Sequence, residues 1–165
     1  MTVTTNSHPV WNFYDTYRTA RLNVKYYSTR IKQVEREIFF MDIVLAVAAP
    51  SSVIAGIWFL QTSIGKSILE WVGALAAIIA VIKPLLNRTK KLQMYEELFS
   101  GYRSLEHDLQ VIKEKIIQDQ SYNKDSQKKY DEALARIGIL KAKDNDHDVK
   151  DKLRDKLTEV VIKEL

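Results

Sequence analysis

The feature that most constrains this chain is a run of eighteen residues without a charged side chain, from Ile43 to Leu60. An α-helix needs about 20 apolar residues to cross the hydrocarbon core of a bilayer, so the run is close to the required length. A soluble core helix normally keeps one polar face, whereas here only the Ser51/Ser52 pair beside Pro50 is polar. The run therefore predicts a membrane span.

A second apolar segment follows, from Ile68 to Leu86, with a charged residue near each end. Glu70 and Lys83 leave an uncharged centre of twelve residues, which is short for a span. Both charges stand where a side chain can extend to the membrane surface, because long charged side chains snorkel. The two segments together predict a transmembrane helical hairpin over residues 38–86, with one proline inside each span.

The flanks of the hairpin indicate its orientation. Trp58 and Trp71 lie on either side of the short connection 61–67, as residues of an aromatic belt do. The connection carries only Lys66 as a basic residue, and the positive-inside rule places basic flanks in the cytoplasm. We therefore predict that both termini are cytoplasmic. The flanking basic residues are Arg21, Lys25, Arg30, Lys32 and Arg36 before the first span, and Arg88, Lys90 and Lys91 after the second.

Apolar residues outside the hairpin recur with alternating spacings of three and four, which is typical of a coiled-coil seam. In the predicted N-terminal helix of residues 1–37 and at the first residue of the hairpin, the positions are Val10, Phe13, Tyr17, Ala20, Val24, Tyr27, Ile31, Val34 and Ile38. After the hairpin, in the helical region 87–142, they are Tyr95, Leu98, Tyr102, Leu105, Leu109, Ile112 and Ile116. The predicted fold class is all-α, a membrane hairpin continued by long cytosolic coiled-coil-like helices and oligomeric.

The second seam is interrupted by polar residues at Asp119, Asn123 and Ser126 before it resumes at Tyr130. We interpret the interruption as a bend, and the alternative is one continuous helix with a hydrated middle. The last predicted region, residues 143–165, is a charged linker followed by a short amphipathic helix capped by Asp146 or Asp148.

Asp42 is the most informative single residue, because an ionisable group inside a span is costly and marks a function or an ion pair. In an antiparallel hairpin it reaches a depth similar to that of Lys83, so we predict an ion pair between the two. Small residues line both spans and allow close helix approach. They could serve packing within the hairpin, an oligomer or a narrow pore. The small residues are Ala48, Ser52, Gly56, Gly73, Ala77 and Ala80.

No catalytic motif is present, so we expect no enzyme and no cofactor. Asp144, Asp146, Asp148 and Asp155 faintly resemble a calcium loop, but Val149 stands where that loop requires glycine, so no metal site is predicted. The net charge of +4 is mild and gives little support to nucleic-acid binding. An N-terminal aromatic stripe that could stack on a base is better explained by a helix interface, and a nucleotide pocket is the alternative.

The layout resembles the SLATT family of bacterial two-span effectors. The segments that carry the resemblance are YRTARLNVKYYSTRIKQVEREI before the hairpin and NRTKKLQMYEELFSGYRSLEHDL after it, within residues 17–117. The resemblance implies an oligomeric effector of the bacterial inner membrane that opens a pore or disrupts the bilayer in antiviral defence. A separate sensor protein would then supply the trigger. A coiled-coil membrane scaffold for a partner protein and a small constitutive channel subunit remain open as alternatives.

Overall fold

The computed structural model describes residues 9–48, 63–85, 87–145 and 149–164, and nearly all of them are helical. The helices are α1 (Pro9–Ala48), α2 (Ser63–Leu85), α3 (Arg88–Asp119), α4 (Lys124–Lys143) and α5 (Asp151–Glu164). The all-α class is therefore confirmed for this part of the chain. Contacts divide the chain into a first unit, Met1–Ile31 with Met94–Leu165, and a second unit, Lys32–Gln93.

In the first unit, α1 and α3 run antiparallel. The Tyr27 ring stacks on the Tyr102 ring at 5.7 Å between centroids and contacts the Tyr95 ring at 5.9 Å. Earlier in α1, Tyr17 faces the Lys113 ammonium, which lies 5.2 Å from its ring centroid. Because residues later in α1 meet residues earlier in α3, the two helices pair in opposite directions.

The buried residues of α3 are the seven positions of the second predicted seam, from Tyr95 to Ile116. Tyr95, Leu98, Leu105 and Leu109 are completely buried. Each side chain of this size contributes about 1.5–3 kcal/mol when it leaves water, so the seam is the main apolar core of the first unit.

The buried face of α1 differs from the predicted seam. Val24 and Ile31 are only half-buried, whereas Asn23, Tyr26 and Arg30 are buried. The physical reason is that α1 contacts three helices in this unit, so it buries a strip wider than the seam of a two-stranded coiled coil. Besides α3, α1 meets α4 through a 2.8 Å hydrogen bond between Thr16 and Tyr130, and α5 through ion pairs of Arg21 and Lys25 with Glu164.

Helix α4 packs antiparallel on α3. A Cβ atom built at Gly101 would lie 2.4 Å from Leu140 Cδ2, so the glycine permits this close approach. The two helices are separated by a turn in which Gln120 has a φ of 49° and the Asn123 side chain accepts a 2.8 Å hydrogen bond from the Ser126 backbone N–H. The favoured bend is present, and the continuous helix is wrong.

Helix α5 is short and shallowly docked. Val161 is its one fully buried residue, Leu153 and Leu157 are half-buried, and Val160 is 36% exposed. The predicted helix from Val149 begins at Asp151. Its predicted caps, Asp146 and Asp148, lie outside the described residues.

The second unit contains the end of α1, helix α2 and the start of α3. Helix α2 begins at Ser63, so part of the connection predicted at 61–67 is helical. Most of the first predicted span, including Ser52, Gly56 and Trp58, lies outside the described residues. Among the helices that are described, none combines the length and the apolarity of a membrane span.

Candidate functional site

The second unit brings Asp42 and Lys83 together. The Lys83 ammonium donates a hydrogen bond to Asp42 Oδ1 and forms an ion pair with the carboxylate. The Asp42 side chain is 51% exposed and the Lys83 side chain 38%, so the pair lies at the surface of the single chain. The two residues that the sequence paired by depth therefore do meet, and they join α1 to α2.

A second ion pair lies beside the first and was not predicted. Arg88 Nη1 is 3.2 Å from Glu37 Oε2. Glu37 precedes Asp42 by five residues, and Arg88 follows Lys83 by five, so the equal offsets are those of antiparallel segments. That matched spacing of opposite charges was the sequence pattern that could have revealed the second pair.

Large apolar side chains of this unit are exposed in the single chain. Trp71 is 78% exposed, Val81 66% and Phe39 65%. The others are Phe40, Ile43, Leu75, Ile78 and Ile82. Many exposed apolar side chains in one unit indicate contact with a membrane, a partner or another copy, because exposure to water would be costly.

The small residues of α2 do not pack within the described hairpin. Gly73, Ala77 and Ala80 are exposed, and a Cβ atom built at Gly73 would meet nothing within 4 Å. Ala76 is buried instead, one position away from the predicted face. The first predicted span lies mostly outside the described residues, so packing within the hairpin, contacts between chains and a pore all stay predictions for these three residues. Ala48 is the last residue of α1.

The first unit holds a polar cluster built from tyrosines and one buried arginine. Arg30 is 2% exposed, and its Nε and Nη2 donate to Tyr95 Oη at 3.2 and 2.8 Å. The predicted seam has Ile31 at this position. Arg30 lies three residues after Tyr27 and four before Val34, so heptad spacing allowed it, and only its charge argued against it.

Tyr27 extends the cluster toward the end of α4. Its hydroxyl donates a 2.6 Å hydrogen bond to Asp144 Oδ2. Burial, the hydrogen bond to Asp144 and the negative charge of Asp144 all raise the pKa of Tyr27. Burial likewise raises the pKa of Tyr102. Both phenols stay protonated at neutral pH, and both are buried core residues.

The seam residues of the first unit are thus brought together, whereas no grouping of three His, Asp or Glu side chains within the described ranges could hold a metal ion. No protein family, curated protein or solved structure matches the chain.

Proposed function

We propose that the chain is a homo-oligomeric effector of the bacterial inner membrane, of the SLATT type, that passes ions when its cytosolic helices are triggered. The observation that carries the proposal is the exposed apolar side chains of the second unit, such as Trp71, Ile78 and Val81, together with the uncharged sequence of residues 43–60. A lipid environment would remove the cost of exposing that surface to water.

Charge supports the same assignment. The Asp42 and Lys83 pair joins the two predicted spans near one end, where opposite charges can neutralise each other in a medium of low dielectric constant. The second pair, Glu37 with Arg88, lies toward the predicted cytoplasmic side. Basic residues flank both pairs and suit the anionic cytoplasmic leaflet.

The proposed trigger acts through α1, which continues without a break from Pro9 to Ala48. A partner or ligand that repacks its N-terminal part against α3 would tilt or rotate the predicted spans. The exposed small face at Gly73, Ala77 and Ala80 would line the contact between copies, because small residues let helices approach closely. This function needs no catalytic residue and no cofactor.

Ion flux through liposomes tests the proposal. Protein reconstituted in vesicles under a potassium gradient should dissipate the gradient once its cytosolic helices are repacked, as reported by a voltage-sensitive dye. Gly73→Leu should reduce flux by obstructing helix approach while leaving insertion intact. Ser121→Leu is the matched control, because Ser121 is exposed in the turn between α3 and α4 and should leave flux unchanged.

Activated wild-type protein that leaves the potential intact would count against the pore, as would a strictly monomeric protein in the bilayer. Membrane insertion without flux would favour the alternative of a scaffold that anchors a partner through the first unit.

A further inference from the structure

A cavity of about 480 Å³ lies in the second unit, where α3 begins. Three basic side chains line it: Lys83 at the end of α2, and Arg88 and Lys90 in the first turn of α3. Asn87 and Thr89 add an amide and a hydroxyl group. Five polar residues therefore line one concave surface, and four of them are consecutive in sequence.

The positive charge of the cavity is only partly neutralised. Glu37 Oε2 forms an ion pair with Arg88 Nη1 at 3.2 Å, and Asp42 forms one with the Lys83 ammonium. Arg88 Nε, however, is buried and has no hydrogen-bond partner among the described residues. A buried donor without an acceptor costs about 1–3 kcal/mol, and a ligand would remove that cost only by drawing the guanidinium round toward the cavity. Lys90 is exposed and brings a third positive charge.

The backbone of α3 adds a weaker positive electrostatic potential to that of the three basic side chains. The Lys91 N–H donates to the Asn87 carbonyl at 3.1 Å, so Asn87 is the N-cap residue of α3. The N–H groups of the first helical turn have no partner within a helix, and they carry the positive end of the helix dipole. The N-terminus of α3 alone would not define a site. Here Lys83, Arg88 and Lys90 lie at the same end of α3 and line the cavity beside it.

The other wall of the cavity is apolar and is formed by Ile38 and Met41 of α1. A ligand for this cavity therefore combines a compact anion with an adjacent apolar portion. Phosphate suits the polar side, because arginine offers it several N–H donors in one plane and lysine binds it as a point charge.

We propose that this cavity binds a phosphate group, which is carried by an anionic lipid headgroup or is free in solution. The inference rests on the proposed membrane function, because the cavity follows the second predicted span on its cytoplasmic side. A bound phosphate would bridge Lys83 of α2 to Arg88 and Lys90 of α3, and so fix the junction between the predicted span and the cytosolic helix.

The test uses the full chain in zwitterionic detergent with two probes, short-chain phosphatidylglycerol and inorganic phosphate, and with short-chain phosphatidylcholine as the neutral lipid. Binding is measured by native mass spectrometry. Lys90→Gln and Arg88→Gln should each weaken phosphatidylglycerol binding about fivefold, the factor expected for one basic residue at a lipid surface. Lys90→Gln is the main variant, because the exposed side chain can be removed without disturbing the fold.

Arg36→Gln is the matched control. It removes one exposed positive charge from the same unit, but Arg36 does not line the cavity, so phosphatidylglycerol binding should be unchanged. Equal weakening by Arg36→Gln and Lys90→Gln would overturn the site in favour of diffuse charge attraction. Equal affinity for phosphatidylglycerol and phosphatidylcholine would overturn it as well.

The second probe distinguishes the sources of the phosphate. Inorganic phosphate that binds with the same dependence on Lys90 supports the site and assigns a soluble ligand. Phosphatidylglycerol that binds while inorganic phosphate does not supports the site and assigns a lipid. Failure of this inference is also separate from failure of the pore, because ion flux can persist without a lipid preference, and lipid binding can persist without flux.

Discussion

The Tyr27 hydroxyl donates a 2.6 Å hydrogen bond to the carboxylate of Asp144, the residue that follows the last turn of α4. Tyr27 is 3% exposed and also contacts the rings of Tyr95 and Tyr102 on α3. One side chain of α1 therefore connects the core of the first unit to the segment that leads into α5. This position makes Tyr27 a sensitive probe of the packing of three helices.

Alkaline pH should destabilise the first unit through Tyr27. The folded-state pKa of Tyr27 lies above the unfolded value of about 10. Above pH 10 the unfolded chain loses a proton that the folded chain retains, so its contribution to stability is complete below pH 10 and falls as pH rises toward the folded pKa. The thermal midpoint of the full chain, followed by near-UV circular dichroism from pH 8 to 11, should decline.

Two variants separate the contributions of the phenol and the carboxylate. Tyr27→Phe should flatten the decline between pH 10 and 11, because the titrating group is gone. Asp144→Asn keeps an acceptor but removes the negative charge, so it should flatten the decline less. An unchanged slope in Tyr27→Phe would show that other groups cause the alkaline sensitivity.

Tyr95→Phe should destabilise the first unit by about 1–3 kcal/mol, because it removes the acceptor for two N–H groups of the buried Arg30. Chemical denaturation at neutral pH measures the free energy of unfolding. Tyr14→Phe is the control, since Tyr14 is only half-buried, and it should stay within about 0.5 kcal/mol of the wild type. Equal effects would mean that the hydrogen bonds of Arg30 to Tyr95 contribute nothing.

Ser126→Ala should leave stability unchanged or increase it. Ser126 is 1% exposed, and its Oγ is buried without a hydrogen-bond partner in the described part of the chain. Removing an unsatisfied buried hydroxyl removes its desolvation cost of about 1–3 kcal/mol. Ser121→Ala changes an exposed hydroxyl and serves as the control in the same denaturation measurement. A loss of stability in Ser126→Ala alone would show that the hydroxyl has a partner, such as a bound water.

Apolar spacing predicted the core of α3 well because that helix buries a narrow strip against its neighbours. Tyr95 to Ile116 repeat at intervals of three and four, and each of the seven is buried. The same pattern predicted α1 less well, because Asn23, Tyr26 and Arg30 are buried beside the seam positions, on a helix that contacts α4 and α5 as well as α3. Spacing identifies one strip of a helix, whereas the number of neighbouring helices depends on packing that is distant in sequence.

The candidate site shows the same division. The Asp42 and Lys83 contact followed from two isolated charges at matching depths in a hairpin. The pair of Arg88 with Glu37 was not predicted, because both residues lie among many other charges near the hairpin. An isolated charge has few possible partners, so its pairing can be predicted, whereas a charge in a basic flank has many.

Asp42 and Lys83 should be energetically coupled in a bilayer. Asp42→Asn or Lys83→Met alone leaves one charge without its partner, so the double variant should be less destabilised than the sum of the single variants. We expect a coupling energy above about 1 kcal/mol, the upper end for pairs in water, because lipid screens charges poorly. Reversible unfolding in bicelles provides the four free energies of the double-mutant cycle. Additive single effects would contradict the coupling.

The hairpin topology predicts that positions 62 and 100 lie on opposite sides of the membrane. The native chain has no cysteine, so single cysteines introduced by Thr62→Cys and Ser100→Cys can be labelled without background. In right-side-out vesicles an impermeant maleimide should label the first variant at once, and the second only after the membrane is permeabilised. The expectation follows from the basic residues on the two flanks and the near absence of basic residues from the connection. Ser100 is exposed in α3, so its protection before permeabilisation would reflect the membrane and not burial in the protein. Labelling of both variants from outside would contradict the hairpin, and with it the proposed pore.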